Sequence, residues 1–491
     1  MLPGEALNQP YLLLAILIPL VSSPLTFLVG RVFSWRAGAV FCHFTTLVSF
    51  LIIISFFPGI LEGRVFYEEY PWVPLYGITL GLVLDSLSYP FALLMSLMGL
   101  LASVYSHKYM EREHGVEAYF ALLQLFHAGM LGVVLVSNLF LFYIFWEVML
   151  IPSYVLIAYW GTGNPRVIGF KYFVFTHAGA LALLIGIAWL AALFNNLNIF
   201  ELVDLASGAG AELRPVLTII AVLIFLGAAV KMAIFPFHSW LPDAHAEAPT
   251  PISVLLSGVM IKSGVYAFAR LVLGIMPFTL AVIGYAISVL AVLSILWGGI
   301  MAMVQNDVKR VLAYSSISQM GYILFGVATA DPVGVQGGLF QVLNHGFAKG
   351  LLFMAAGVII HELNERDLRN LGGLASKMPV TAVAMLLGGL AVAGTPPLGI
   401  FMSEWMIFTG GITAGFTNLA VIAIFATAIT AGYYLRIIRA IFYGEKTPEA
   451  HEGGLHMLTP MAVLIFLVVA MGFLHTPILT ILSKAAETLT L

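Results

Sequence analysis

The stretch AAVKMAIFPFHSWLPDAH, residues 228–245, places Lys231 near the end of a long apolar run and follows it with Pro236. A charge at the centre of a bilayer costs about 2.5–3.5 kcal/mol on insertion scales. A proline has no backbone donor, so it leaves the carbonyl one turn earlier without a partner. Unpaired backbone groups at membrane depth are tolerated where protein covers them or water enters. The stretch therefore predicts a membrane helix that is interrupted beside a buried cation, in a locally hydrated pocket.

The rest of the chain has the composition of a membrane protein. Of its 491 residues, 61% are hydrophobic and 9% are charged, whereas soluble domains carry about 25% charged residues. Apolar runs of ~20 residues recur, which is typical of membrane-spanning helices, and the alternating ~10-residue segments of a β-barrel are not seen. We predict an all-α polytopic protein with about fourteen spans, at residues 11–30, 38–57, 80–105, 118–136, 138–159, 167–194, 215–237, 252–273, 278–303, 311–329, 335–361, 379–409, 417–443 and 458–482.

The distribution of basic residues indicates the orientation of the chain. Lys and Arg concentrate on the cytoplasmic side of membrane proteins. With the N-terminus outside, most of the 21 basic residues fall on inner loops and helix ends. The exceptions are Arg64, Arg214, Arg270 and Lys484 on the outer side and Lys231, Lys262 and Lys349 within spans. We expect a multi-pass cell-membrane protein with both termini on the outer side.

The connecting segments are too short to hold a soluble domain, so we expect one integral membrane domain, 1–491. The outer segment EGRVFYEEYPWVP, 62–74, is interpreted as a small hairpin whose acids are solvated. No Walker motif and no G-x-G-x-x-G occur, which leaves an ion gradient or a partner as the energy source. The single cysteine, Cys42, excludes an internal disulfide. The net charge of −3 gives no sign of nucleic-acid binding.

A second interrupted span resembles the first. The segment GTPPLGIFMSEW, 394–405, combines the breakers Gly394, Pro396 and Pro397 with a buried acid, Glu404. Discontinuous helices at matching positions of two halves indicate a transport site near the middle of the membrane. We predict two five-helix repeats of opposite topology, 115–275 and 276–445, each with one broken helix.

Five charged residues are expected deep within spans: Glu147, Lys231, Lys262, Lys349 and Glu404. Such residues are functional more often than not, and the alternative is static pairing that holds helices together. Burial favours the neutral form of a carboxyl or amino group, and a neighbour of opposite charge favours the charged form. Glu147 and Lys231 would therefore act as a protonic switch if they lie close together, which the sequence does not establish.

The eleventh span carries a polar stripe. Gln341, His345 and Lys349 are spaced at i, i+4 and i+8, which places them on one helix face. His345 titrates near neutral pH and can pass protons in both directions, although a lone histidine is often a hydrogen-bonded core residue. Ser315 and Gln319 show the same spacing in the tenth span and suit either water binding or helix packing.

Three other kinds of site are weighed against a proton relay. His238, Asp243, His245 and Glu247 offer metal-ligand chemistry, but the prolines between them are more typical of a rigid inner turn. Haem needs histidine pairs on facing helices, and His43, His127 and His177 lie singly in different spans. A quinone site is neither supported nor excluded by any group of residues.

Several motifs together resemble the antiporter-like proton-pumping membrane subunits of the respiratory complex I family. They are FYIFWEVMLIPSY around Glu147, PFHSWLPDAHAEAPTPIS after Lys231, VKRVLAYSSISQMGY, NHGFAKGLLF and RDLRNLGGLASKMP. The likeness extends from about residue 80 to residue 445. It is strongest to subunit M, the chain 4 type, because of RDLRNLGGL and because Glu404 stands where other members usually carry a lysine.

The resemblance implies roles for individual residues. Glu147 and Lys231 would form the coupled pair of the first half-channel, and Lys262 would be the bridge to the second. His345, beside Lys349, would continue the relay, and Glu404 would end it near the outward path. Members of this family bind no cofactor and work beside homologous antiporter-like subunits and a peripheral redox arm.

Two departures from subunit M leave alternatives open. Gln319 stands where subunit M often has a histidine, and Lys349 resembles other antiporter-like members and Mrp-type antiporters. The leading hypothesis is a proton-translocating, non-redox subunit of a complex-I-like oxidoreductase. The alternatives are a subunit of an Mrp-type Na+/H+ antiporter or of a membrane-bound hydrogenase, and a purely structural membrane scaffold.

Overall fold

Membrane-length helices account for most of the chain. The computed structural model describes residues 5–6, 9–73, 78–443 and 449–490. Within these ranges, 13 helices are long and apolar enough to cross a membrane. The predicted polytopic, α-helical architecture is therefore confirmed.

The helices follow one another with short connections. In chain order they are α1 Tyr11–Val32, α2 Trp35–Ser55, α3 Phe57–Glu62, α4 Ser88–Tyr109, α5 Val116–Leu135, α6 Leu139–Trp160, α7 Pro165–Phe194, α8 Ile199–Ser207, α9 Arg214–Met232, α10 Trp240–Glu247, α11 Thr250–Leu255, α12 Lys262–Ala267, α13 Leu280–Val304, α14 Val308–Ala328, α15 Pro332–Leu363, α16 Pro379–Val392, α17 Gly399–Thr413, α18 Thr417–Phe442, α19 Leu455–Phe473 and α20 Thr476–Thr490.

A small sheet occupies the segment where a hairpin was predicted. Strand β1 (Glu5–Ala6) pairs in parallel with β2 (Phe66–Val73), which pairs antiparallel with β3 (Ile78–Leu84). The hairpin therefore extends into residues that we assigned to the third span, whose helix begins only at Ser88. The expectation that its acids are solvated is wrong for Glu68, which is 3% exposed.

Glu68 is buried because it caps a helix. Its two carboxylate oxygens accept hydrogen bonds from the backbone nitrogens of Leu12 and Leu13, at 2.7 and 2.9 Å. These donors belong to the first turn of α1, which has no intrahelical acceptors for them. Burial raises the pKa of Glu68, and the hydrogen bonds oppose that rise.

The first predicted interruption lies slightly earlier than expected. Helix α9 ends at Met232, and Ala233 adopts a left-handed conformation with φ 56°. Irregular backbone then leads to α10 at Trp240. The break thus begins one residue after Met232 rather than at Phe235–Pro236, and Lys231 lies in the last helical turn.

The second interruption divides the predicted twelfth span into α16 and α17. Between them Gly394 has φ 67°, a conformation that glycine adopts at little cost. A Cβ at Gly394 would collide with Glu404 Oε2. The break therefore lets the backbone approach the carboxylate of Glu404 closely.

The span that carries Lys262 is irregular as well. Its two short helices, α11 and α12, are separated by a π-helical segment, Leu256–Met260, and a second one, Phe268–Leu273, follows. Short π-helical segments within α-helices occur frequently at functional sites. The whole span Thr250–Leu273 is buried, whereas α1, α7 and α19 bury only 33–39% of their most apolar segments. Lys262 is therefore at the centre of the bundle.

An ion pair fixes the C-terminal end of this span. Arg270 Nη2 lies 2.7 Å from Asp85 Oδ1, and the two side chains are 10% and 13% exposed. The same carboxylate oxygen accepts hydrogen bonds from the backbone nitrogens of Leu87 and Ser88, at the start of α4. Asp85 therefore joins α4 to the span Thr250–Leu273.

Replacing Arg270 with methionine should destabilise the purified protein, because it leaves the Asp85 carboxylate buried without its cation. Breaking a buried pair by removing one partner costs about 3–5 kcal/mol. The measurement is the midpoint of thermal unfolding. Combining Arg270→Met with Asp85→Asn should recover part of the loss, and an unchanged midpoint in the single variant would contradict this role.

Candidate functional site

Lys231 is a buried residue at the end of α9. It is 2% exposed, and Nζ has no hydrogen-bond partner among the described residues. The ammonium lies 5.1 Å from the centre of the Trp146 ring, a distance that permits a cation–π attraction. The neighbouring carbonyl of Val230, at the end of α9, accepts a hydrogen bond from Trp240 Nε1 at 3.0 Å. That carbonyl also accepts a hydrogen bond from the backbone nitrogen of Ala233 at 3.1 Å. The carbonyl is therefore satisfied by protein atoms, while the ammonium has no such partner in the described part of the chain.

Glu147 faces a histidine rather than Lys231. Its Oε2 lies 3.4 Å from His177 Nδ1, and its Oε1 has no hydrogen-bond partner in the described part of the chain. Glu147 is close enough to act electrostatically on Lys231, but these two described residues form no direct hydrogen bond. The predicted pair is therefore coupled through space, beside the Trp146 ring.

His177 was considered from the sequence only as a haem ligand. Its side chain is 37% exposed and that of Glu147 is 19% exposed, so both reach the surface of the bundle. His43 hydrogen-bonds to His107, at 3.2 Å, and His127 packs against Gly99. The three histidines weighed for haem thus face different neighbours.

Lys262 occupies the middle of the site. It is fully buried, and its ammonium donates a short hydrogen bond to the carbonyl of Ser257, in the π-helical segment. The Ser257 hydroxyl lies 2.7 Å from that of Ser316 on α14. Through Ser257, the span that carries Lys262 is therefore joined to α14.

Lys349 is bonded very differently. Its ammonium donates to the carbonyl of Leu312 at 2.9 Å, to Ser315 Oγ at 2.7 Å and to the hydroxyl of Tyr434 at 2.9 Å. An ammonium has three donors, so all of them are used. Of the three lysines predicted within spans, Lys349 is the one whose ammonium has a protein acceptor for each of its three donors.

His345 lies near two of these lysines, Lys262 and Lys349. It is fully buried, and neither ring nitrogen has a hydrogen-bond partner in the ranges that the structure describes. Lys262 and Lys349 both act on it electrostatically. The polar stripe of α15 is thus confirmed as a buried face.

His245 is a central residue that sequence reasoning placed at the inner surface. It is fully buried and stacks on Phe353, with ring centres 4.8 Å apart. Burial, helped by Lys309, Lys349 and Lys262, lowers the pKa of His245 well below its usual value. The one sequence feature that could have drawn attention to His245 is that it follows His238 within the same proline-rich segment.

The other acids weighed for a metal hold neighbouring segments together. Asp243 pairs with Lys171 at 2.7 Å and with Arg310 at 3.0 Å. Glu247 Oε2 accepts a hydrogen bond from the backbone nitrogen of Asn164 at 3.0 Å. Among the described residues, no group of three or more His, Cys, Asp or Glu side chains is arranged to hold a metal ion.

Glu404 is the last of the predicted site residues along the chain. It is 4% exposed and faces Gly394 in the break between α16 and α17. The Gln319 side chain lies beside it and accepts a hydrogen bond from Gln341 Nε2 at 2.5 Å. At the position where subunit M often has a histidine, this chain therefore has the amide of Gln319, which is hydrogen-bonded to the amide of Gln341.

The arrangement combines two interrupted helices with six titratable groups, of which five are buried and Glu147 is partly exposed. Lys231 and His345 can take up and release protons, because neither has a hydrogen-bond partner among the described residues that would hold it in one state. In chain order the six groups are Glu147, Lys231, Lys262, His345, Lys349 and Glu404.

Comparisons with known proteins agree with this architecture. Residues 136–430 match the family described as "NADH:quinone oxidoreductase/Mrp antiporter, TM". Residues 72–120 match "NADH-Ubiquinone oxidoreductase (complex I), chain 5 N-terminus".

Individual relatives cover nearly the whole chain. The F(420)H(2) dehydrogenase subunit M of Methanosarcina mazei is 33% identical over 97% of this chain and 97% of its own length. The NADH-quinone oxidoreductase subunit M of Escherichia coli K12 is 34% identical over 84% of this chain and 82% of its own length. A chain of respiratory complex I from Thermus thermophilus superposes with a TM-score of 0.86 and 25% identity, covering 97% of this chain and 99% of that one.

Some relatives are much longer. A component of a probable K(+)/H(+) antiporter of Rhizobium meliloti is 34% identical over 92% of this chain, which spans 46% of that protein's length. This chain therefore corresponds to about half of that longer relative. It belongs to the family of NADH:quinone oxidoreductase and Mrp antiporter membrane subunits.

Proposed function

We propose that this chain is the proton-translocating membrane subunit of a complex-I-like oxidoreductase, driven by redox chemistry in partner subunits. The observation that carries the proposal is Lys231, a fully enclosed lysine at a helix break whose ammonium has no hydrogen-bond partner in the described ranges. A lysine that only holds helices together would have fixed hydrogen-bond partners, and Lys231 has none among the described residues. The names of its subunit M relatives, an F(420)H(2) dehydrogenase and an NADH-quinone oxidoreductase, support the redox setting.

The proposed relay has two halves that meet at Lys262. Glu147 sets the protonation of Lys231 in the first half, and Lys262 passes the proton on. His345 and Lys349 receive it in the second half, and Glu404 releases it toward the outer side. Electrostatic neighbours support two parts of this order: Glu147 beside Lys231, and Lys262 beside His345 and Lys349.

The orientation and the internal symmetry belong to the same proposal. Both termini lie outside, as the distribution of basic residues favours. Residues 115–275 and 276–445 form two five-helix repeats of opposite topology, each with one interrupted helix. Labelling of single cysteines near the termini from either side of the membrane tests the orientation.

We place the chain beside homologous antiporter-like membrane subunits and a peripheral redox arm. A second candidate is a subunit of a multisubunit cation/proton antiporter without electron transfer, which the relationship to a probable K(+)/H(+) antiporter favours. Purification of the native assembly, with identification of its subunits by mass spectrometry, distinguishes the two. Iron–sulfur or flavin subunits in the assembly support the oxidoreductase, and small antiporter subunits alone contradict it.

Replacing Gly394 with alanine should slow proton transport about tenfold, which corresponds to ~1.4 kcal/mol in the barrier. The added methyl group would collide with the Glu404 carboxylate. Gly415→Ala is the matched control, because Gly415 has φ 82° but nothing within 4 Å of the added Cβ. Both variants bear backbone strain of about 1 kcal/mol, so equal transport rates would contradict a role for the position of Glu404.

A further inference from the structure

A group of hydroxyls on α18 contacts the end of the relay, and sequence reasoning did not assign it a role. Tyr433 and Tyr434 are buried, with ring centres 4.8 Å apart. The Tyr434 hydroxyl accepts a hydrogen bond from Lys349 Nζ at 2.9 Å. The Tyr433 hydroxyl donates to Ser315 Oγ at 2.9 Å, and Ser315 also accepts from Lys349 at 2.7 Å.

Thr430 continues this group by one turn of the helix. It is 2% exposed, and its hydroxyl has no hydrogen-bond partner within the described part of the chain. Tyr433 and Tyr322 both lie beside that hydroxyl. Since Thr430 and Tyr433 are three residues apart, they share one face of α18. A buried polar atom without a partner in this position requires an explanation.

Glu404 lies near the same two tyrosines as Thr430. Its carboxyl group is within electrostatic reach of both Tyr433 and Tyr322. Gln319 lies beside Glu404 and accepts a hydrogen bond from Gln341, and neither amide can titrate. A hydroxyl can pass a proton without changing its charge, because it accepts one proton on a lone pair while it donates its own.

We propose that the hydroxyls of Ser315, Tyr433 and Thr430 carry the proton from Lys349 to Glu404, in place of a titratable residue at Gln319. The inference rests on the proposed function. The Tyr433 hydroxyl first turns away from Ser315, so that it can accept a proton from it. The Lys349 ammonium gives one proton to Ser315, Ser315 passes its own to Tyr433, and Tyr433 passes its own to Thr430.

Thr430, or a water that it holds, then protonates the Glu404 carboxylate. Lys349 ends as a neutral amine and Glu404 as a neutral acid, so one proton has moved and no hydroxyl has changed its charge. The hydroxyls rotate back before the next proton arrives.

The decisive variant is Thr430→Val, because it has the same shape and lacks only the hydroxyl. The Thr430 hydroxyl makes no hydrogen bond to the described residues, so a purely structural role predicts unchanged or greater stability and unchanged transport. A role in the relay predicts that proton transport falls at least ~10-fold while stability stays the same or rises. Tyr433→Phe should show the same loss of transport.

The measurement uses inverted membrane vesicles that contain the whole assembly, energised through its own reaction, with acidification of the interior followed by a pH-sensitive dye. Tyr285→Phe and Thr413→Val are the controls, since Tyr285 is 54% exposed and the Thr413 hydroxyl bonds only its own helix at Thr409. Wild-type transport in both Thr430→Val and Tyr433→Phe would overturn the hydroxyl route.

Lys231→Ala in the same vesicles separates this inference from the proposed function. If Lys231→Ala is inactive while the two hydroxyl variants are normal, the hydroxyl route alone fails. If Lys231→Ala transports protons normally, the proposed function fails as well.

Discussion

Replacing Lys231 with alanine should abolish proton transport and leave the assembly intact. The ammonium of Lys231 makes no hydrogen bond to the described residues, so its removal breaks no such contact and relieves the cost of a buried charge. A positioned side chain that transfers protons contributes a factor of about 10²–10⁴ to the rate. We therefore expect transport to fall at least ~100-fold, measured as proton uptake by inverted vesicles.

Two further variants show whether charge or proton exchange matters. Lys231→Arg keeps a positive charge that does not dissociate in proteins, so it should be as inactive as Lys231→Ala. Lys377→Ala removes an exposed lysine that precedes α16 and should transport normally. Transport by Lys231→Arg at the rate of the unmodified protein would show that Lys231 acts only as a fixed charge.

Replacing Glu404 with glutamine should block the release of protons at the far end of the relay. Glutamine fills the same space and can still hydrogen-bond to Gln319, but it cannot take up a proton. Because Glu404 is 4% exposed, removing its charge should not destabilise the fold. We expect at least a ~100-fold loss of transport with an unchanged thermal midpoint.

The matched control for this variant is Glu212→Gln, which removes an exposed acid from the segment after α8. It should transport protons at the rate of the unmodified protein. Glu404→Asp keeps a titratable acid but draws it back from Gln319, so partial activity is expected. Normal transport by Glu404→Gln would mean that protons leave the relay before they reach α17.

The parts of the fold that depend on apolar length could be predicted from the sequence. Breakers in the runs around Pro236 and Pro396 located both interruptions within a few residues, since proline and glycine limit the backbone directly. The positions of Lys231 and Glu404 at these breaks followed from the same stretches.

Contacts between helices could not be predicted in the same way. Nothing in the run FWEVML shows that Glu147 faces His177, 3.4 Å away, rather than Lys231. The tyrosines of α18 were missed because a tyrosine in an apolar span can face lipid or the bundle, and spacing does not decide which. Only the packing of α18 shows that Tyr434 contacts Lys349.

The difference among the three lysines predicted within spans could not be seen in the sequence either. In the sequence, Lys231, Lys262 and Lys349 are all single cations in apolar runs. In the structure the ammonium of Lys349 has three acceptors, that of Lys262 one backbone carbonyl, and that of Lys231 no hydrogen-bond partner among the described residues. The least satisfied lysine is therefore the one that we expect to exchange its proton most readily.

The central claim is that Lys231 changes its protonation state during turnover and that Glu147 controls this change. The direct measurement is the ¹⁵Nζ resonance of Lys231 in the working assembly, assigned by its loss in Lys231→Arg. We predict that turnover populates both the ammonium and the neutral amine in the unmodified protein and only one of them in Glu147→Gln. An ammonium signal that stays fixed through turnover, or that switches equally well in Glu147→Gln, would contradict this claim.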